Sequence, residues 1–334
     1  MNDHCEPATR TLRALELPAR LTDTADAPLR RGLYVDCETT GLSVERDQAI
    51  EVAMLPFTYT AADGRIAEVL HDEAQVYLQD PGRPLDALIT ALTGLTDDDL
   101  RGRHIDVDAA NALIVRSDLI VAHNARFDRP FFERALPATR TLPWGCSMRD
   151  VPWTAHRCPS AALHCLACHY GVFARDRHRA LADCEVGVWL LAQPLPGSER
   201  RVLAALRETA WRETVRLWAA RAPIEHKDEL RARGYRWMPE TRRGIARAWW
   251  TEVVPEMVDA ELEWLRETIY PAGVLPHIPQ RRVTAHDRWR ADPSDVAQAA
   301  PATPAPLAAQ TPHDEPESTP CMSTPPSPAR DCAR

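Results

Sequence analysis

The chain has 334 residues, 45% hydrophobic and 26% charged, with a formal net charge of −8. That supplies one large domain or two smaller ones, contains no apolar run of about 18 residues that would suggest a membrane span, and argues against a general nucleic-acid-coating protein. Nine cysteines, several inside apolar stretches, point to a reduced cytoplasm.

Residues 1–30 show no clear periodicity and read as a poorly ordered leader; no secretory signal is evident. From Gly32 the pattern becomes strand-like in GLYVDCETT, QAIEVAMLPFTYT and RIAEVLHDEAQVYL. The last two are joined by AADG, where Asp63-Gly64 signals a hairpin. Helices are predicted around PLDALITAL and VDAANALIVR, then a short apolar strand, LIVAH, at 119–123. Further helices are predicted in ARFDRPFFERAL, SAALHCLACHYG and HRALADCEVGVWLLAQ. Strands first, then strands alternating with helices, imply an α/β domain over residues 31–195, its mixed sheet covered on both faces.

PLPGSE at 194–199 reads as a linker. Beyond it, residues 200–290 form a basic, Trp- and Arg-rich accessory domain, small and α+β or helical. Residues 201–250 hold 12 Lys or Arg against 6 Asp or Glu, and five of the ten tryptophans lie between 211 and 250. Residues 291–334 carry ten of the 29 prolines and read as a disordered tail.

The chemistry starts at YVDCETTGL, residues 34–42. In a strand, Asp36 and Glu38 point the same way, and each raises the other's pKa unless a positive charge sits between them. They are a solvated strand end or half of a metal site. A site for two divalent cations needs about four acidic groups from remote segments. VAHNARFD offers Asp128 in the first turn of a helix that Asn124 could cap. HRALAD offers Asp183 on a helix, with His178 five residues before it, near the preceding loop.

YVDCETTGL, HNARFD and HRALAD, in that order, resemble the three motifs of the DEDDh (DnaQ-like) 3′–5′ exonucleases. This superfamily has a ribonuclease-H-like fold, a five-stranded mixed sheet flanked by helices, and includes the proofreading epsilon subunit of bacterial DNA polymerase III. The resemblance covers roughly residues 30–195. It implies that Asp36, Glu38, Asp128 and Asp183 hold two Mg²⁺ or Mn²⁺ ions and that His178 is the general base. An imidazole with an ordinary pKa of about 6.5 suits that role near neutrality. It also implies that Thr39, Thr40 and Leu42 sit against the terminal nucleotide, Leu42 as an apolar wedge, with His123 and Asn124 near the strand backbone. TGLT, with Thr93 first, stands where family members carry a His-Gly-Ile-Thr element. The implied substrate is a single-stranded or frayed 3′ end of DNA, with RNA as the alternative, and a polymerase III partnership stays open.

Two constellations stand outside these motifs. His164, Cys165, Cys168 and His169 in LHCLACHYG could form a compact zinc cluster. Helix packing is the default, with Cys165, Cys168 and His169 on one face with Ala161 and Ala162. In the basic segment most tryptophans read as core, and the exposed arginines, among them Arg231, Arg233 and Arg236, as phosphate contacts. A single-strand-binding accessory factor is therefore the competing reading.

Overall fold

The computed structural model describes residues 11–23, 27–239, 247–270 and 274–290. The Pro-rich tail and residues 1–10 lie outside them. Residues 11–23, expected to be loosely attached, are hydrogen-bonded to the domain. β1 (Arg13–Ala14) pairs with the two-residue strand at Val172–Phe173, and Val69 N donates to Ala19 O at 2.7 Å. The cause is the apolar spacing of Leu15, Leu17 and Leu21, which pack against the core.

The main sheet starts with β2 (Leu29–Thr39), β3 (Ala49–Thr60), β4 (Ile66–Val69) and β5 (Gln75–Leu78). β6 (Leu119–Ala122) and β7 (Trp144–Cys146) complete it, and β8 is the Val172–Phe173 strand. The order is β4-β3-β2-β6-β7, with β5 also on β3. β2–β3 is antiparallel, while β6 and β7 run parallel to β2. Six strands stand where five were expected, because RIAEVLHDEAQVYL is broken by a 3₁₀ turn at His71–Glu73. Its two halves line one edge of the 12-residue β3. The predicted hairpin is present, with Gly64 at φ 67° in the left-handed region that glycine tolerates.

Three short helices follow β5: α1 (Ala87–Thr93), α2 (Asp97–Leu100) and α3 (Val107–Ile114). α4 (Ala125–Ala135), α5 (Leu163–His169), α6 (Ala180–Ala192) and α7 (Val202–Trp211) complete the cover. Leu33, Val35, Val52 and Met54 pack with α3 and α4 on one face. Tyr34, Ala53 and Leu55 pack with α5, α6 and α7 on the other. This is the expected α/β plan. Leu203 and Leu206 of α7 are fully buried in that second layer, so the next sheet begins only at Thr214.

That sheet is antiparallel, in the order β10-β11-β9-β12. Its strands are β9 (Thr214–Ala220), β10 (Arg236–Met238), β11 (Ala248–Val253) and β12 (Gln280–Val283). α8 (Lys227–Ala232) and α9 (Val258–Trp264) accompany it. Trp218, Trp249 and Trp250 are buried, while Trp211 and Trp237 are exposed. Arg231 pairs with Asp228 at 3.3 Å and Arg233 with Glu261 at 3.0 Å. The segment is anchored to the first domain where Arg129 donates to the carbonyls of Arg288 (2.6 Å) and His286 (2.8 Å).

Candidate active site

Tyr34, Asp36 and Glu38 share the face of β2 that α6 covers. Asp36 lies opposite Ala53 and Glu38 opposite Glu51, with a register shift immediately after Glu38. Such bulges re-aim side chains beside active sites. β6 ends at Ala122, and the chain turns through His123 and Asn124 into α4, with Asp128 in its first turn. Asn124 occupies the cap position, yet its side chain makes no capping bond. Asp183 lies in the first turn of α6. That helix can approach β2 because Gly187 sits at the crossing, where an added Cβ would be 2.0 Å from Tyr34 Cζ.

These elements bring Glu38, His178 and Asp183 together, each with a ligand atom within 4.8 Å of the others. Asp36 and Asp128 join through their charges. Burial raises Asp36 well above the usual carboxylate range, and the charges of Asp128, Asp183 and Glu38 add to it. Glu38 is pushed up to about 8 by burial and then by Asp183, Glu51 and Asp128. Asp128 is pushed up to about 7 by burial, partly offset by hydrogen bonds that include Cys37 Sγ at 3.6 Å. Asp183 Oδ1 is buried, with His164 Nε2 3.1 Å away but no well-aligned hydrogen bond. Burial and mutual repulsion thus favour the protonated forms of Asp36, Glu38 and Asp128 in the absence of a cation, and oxygen donors are what hard divalent ions select. The donor set fits such an ion.

His178 stands at φ 61°, a conformation that costs free energy in a non-glycine residue and persists where the surroundings enforce it. The enforcing contact is next door. Arg179 grips Glu51 with Nη2 at 2.8 Å and Nε at 3.2 Å, and Ala180 N donates to the same carboxylate at 3.0 Å. Burial lowers the His178 pKa, partly opposed by the charge of Asp183.

His123 is buried, and both ring nitrogens are occupied. Nε2 lies 2.8 Å from Ala161 O and Nδ1 lies 2.9 Å from Ser147 Oγ. A carbonyl only accepts, so Nε2 carries the proton and Nδ1 accepts from Ser147. Ser147 in turn accepts from the Tyr34 hydroxyl at 2.9 Å. Burial pulls the His123 pKa down to about 4, in keeping with that neutral tautomer.

The implied substrate residues divide. Leu42 is 57% exposed and Thr39 is buried, with Thr39 Oγ1 donating to Gly41 O at 2.6 Å. Thr40 accepts from Arg83 Nη2 at 2.9 Å. Thr93 is buried, its hydroxyl bonded to Ile89 O at 2.9 Å and to Leu95 N at 3.1 Å. That leaves it holding the end of α1.

α5 packs differently from the sequence expectation. Its core stripe is Leu163, Leu166 and Ala167, while Cys165 is exposed. Helical phase explains the difference, since the larger leucines take the buried face. His164 instead turns toward the acidic cluster, with Nε2 3.1 Å from Asp183 Oδ1 and its ring 5.9 Å from that of His178. Among the described residues, Glu38, His178 and Asp183 lie close enough together to share a metal ion, and the His164–His169 run offers no such group.

Sequence reasoning missed Glu51, Arg179 and Ser147, and weighed His164 only within a local zinc cluster. Glu51 carried a usable signal, a lone charge inside the apolar run AIEVAML, since buried acids are rare unless paired. Ser147 carried none.

Residues 33–191 match the family model described as exonuclease (RNase_T). The DNA polymerase III PolC-type of Bacillus subtilis (strain 168) is 32% identical over 173 residues, 48% of this chain and 11% of the relative. That of Listeria monocytogenes is 29% identical over 165 residues, 46% of this chain and 10% of the relative. The chain thus spans about a tenth of the length of these relatives. Among solved structures, exonuclease X in complex with 5′ overhanging duplex DNA covers 53% of this chain and 99% of its own, at 22% identity and a TM-score of 0.39. Escherichia coli exonuclease I with a dA16 oligonucleotide covers 67% of this chain and 63% of its own, at 15% identity and a TM-score of 0.43. Residues 33–191 of this chain are thus similar to an exonuclease domain.

Proposed function

We propose that the chain is a 3′–5′ exonuclease of the DEDDh type that releases nucleoside monophosphates from DNA 3′ ends. Asp36, Glu38, Asp128 and Asp183 would hold two Mg²⁺ or Mn²⁺ ions. The observation that carries this reading is the crowding of these acids beside His178, with three of them raised well out of their ordinary range. Divalent cations held there supply Lewis acidity at the scissile phosphate. His178 takes the proton of the attacking water, and Arg179 with Glu51 holds that imidazole in place. Leu42 wedges against the terminal base, beside Thr39 and Thr40. Asn124, uncommitted to capping, meets the strand backbone, while His123 and Thr93 position their neighbours.

DNA is preferred over RNA because the relatives found by sequence are named as DNA polymerases. A DNA polymerase III assembly and a cytoplasmic location belong to the same reading. No helix among the described residues is long and apolar enough to cross a membrane. We assign residues 31–195 to the exonuclease domain and 200–290 to the accessory domain.

The test is digestion of matched DNA and RNA oligonucleotides labelled at either end, with metal binding measured in parallel by calorimetry. Asp36→Ala is expected to lose both activity and metal affinity. His178→Ala is expected to lose on the order of 10²–10⁴ in rate while still binding metal. Label release from the 5′ end first, or a fully active variant, refutes the assignment.

A further inference from the structure

The catalytic cluster leaves unexplained a cleft of about 330 Å³ between the exonuclease domain and the C-terminal sheet. Arg126 and Arg149 line it from one side, and Arg216, Arg236 and Arg288 from the other. Among the described residues, the lining holds two carboxylates, Asp150 and Glu252, beside these five guanidinium groups. Glu252 is already matched by Arg216 at 2.7 Å, and Asp150 accepts from Cys146 N at 2.7 Å. Arg288 is committed to the carbonyls of Thr209 and Arg212. Arg149 and Arg236 are different: both are exposed and make no ion pair among the described residues.

The floor of the cleft is aromatic. Trp250 lies under two guanidinium groups, Arg216 at 4.4 Å and Arg236 at 5.1 Å from its ring centroid. It is 4% exposed, and its indole N–H has no acceptor. Unmatched positive charge above a buried donor without an acceptor is a site built for an anion.

Connectivity ties the cleft to the candidate active site. Arg149 follows Ser147, which holds His123, by two residues. Arg126 follows Asn124 by two and precedes Asp128 by two. Residues two apart on a helix point to different sides, so Arg126 projects to the flank of α4 away from the acids. Helix α4, roughly 10 Å across with its side chains, thus carries Asp128 and the cleft-lining Arg126 on different sides.

We propose that this cleft binds the phosphodiester backbone of the single strand, a few nucleotides upstream of the 3′ end held in the active site. The inference rests on the exonuclease reading. It singles out Arg149 and Arg236 as the contacts, whereas Arg231 and Arg233 are tied to Asp228 and Glu261. Phosphate contacts carry no base information, so binding is expected to be independent of sequence. A free nucleotide shares the phosphate chemistry and has to be separated by experiment.

The full chain is titrated in EDTA with 5′-labelled oligo-dT of about 4 and about 16 nucleotides, over a salt series. The parent is expected to bind the longer strand more tightly. Arg149→Ala/Arg236→Ala is expected to weaken that strand about tenfold and flatten the log–log salt slope by about 1.4, or 0.7 per lost phosphate contact. Arg149→Lys/Arg236→Lys keeps the slope, and an unchanged unfolding midpoint shows that both variants fold. Parental affinity and slope in the alanine variant overturn the proposal. So does a nucleoside monophosphate whose binding disappears in that variant, because the cleft then holds a free nucleotide. Failure of the exonuclease reading shows itself separately, as intact oligonucleotides after incubation with Mg²⁺ or Mn²⁺.

Discussion

Asp128→Asn should make the metal-free protein more stable while disabling it. Asp128 is 3% exposed, and its pKa rises from 3.8 to about 7. A raised carboxylate binds its proton more tightly folded than unfolded, so the folded state loses stability as pH climbs from about 4 to about 7 and carries the full cost above that. At about 1.4 kcal/mol per unit the ceiling is on the order of 4 kcal/mol. Asp36 shares the same repulsion, so the recoverable part is on the order of 1–3 kcal/mol. Asparagine keeps the carbonyl that accepts from Cys37 and the α4 backbone but has no charge to bury. Thermal unfolding in EDTA at about pH 8 should show the variant several degrees above the parent, at roughly 2–4 °C per kcal/mol. The gap should shrink as pH falls and close below about pH 4, where this position is neutral in the folded and the unfolded parent alike. Adding Mn²⁺ should raise the parent and leave the variant little changed, since ligand binding stabilises only the state that binds. A variant no more stable than the parent at pH 8, with a gap that ignores pH, would refute the account of the site as stored repulsion.

Two further outcomes follow from the supporting contacts. Arg179→Met strips the partner from Glu51, which is 1% exposed; leaving a buried charge unpaired costs about 3–5 kcal/mol. The variant should show a lower urea midpoint and a rate loss with metal affinity retained, and Glu51→Gln in the same chain should recover part of the stability but not the rate. Gly187→Ala drives a methyl into Tyr34 and should cost about 1–3 kcal/mol as overpacking. Because α6 then moves away from β2, metal affinity should fall together with thermal stability, both readable in one calorimetric series.

Most of the frame was legible in the sequence because β2, β3 and α6 are long and strongly patterned. The acids stood at the ends of β2, α4 and α6, at Glu38, Asp128 and Asp183. What escaped depends on contacts between segments far apart in sequence. Glu51 and Arg179 are 128 positions apart, and no local pattern announces their pairing. The 3₁₀ break between β4 and β5 was hidden because HDE is too short to interrupt an apolar alternation visibly. The place of His164 escaped for a related reason. Its cysteine and histidine neighbours suggested a local cluster, whereas its one close partner is Asp183 on the following helix.

Glu51 also explains how five acids can meet at one sheet end while four are proposed to serve the cations. Its side chain is directly opposite Glu38 and contributes to the repulsion that raises Asp36 and Glu38. Unlike them it is neutralised from within, by a two-pronged guanidinium and a backbone N–H. A carboxylate so occupied has little lone-pair capacity left for a metal. The same arginine fixes the loop that carries His178 in its left-handed conformation. One ion pair therefore does two jobs: it removes the fifth acid from competition for the cations, and it sets the imidazole beside the other four.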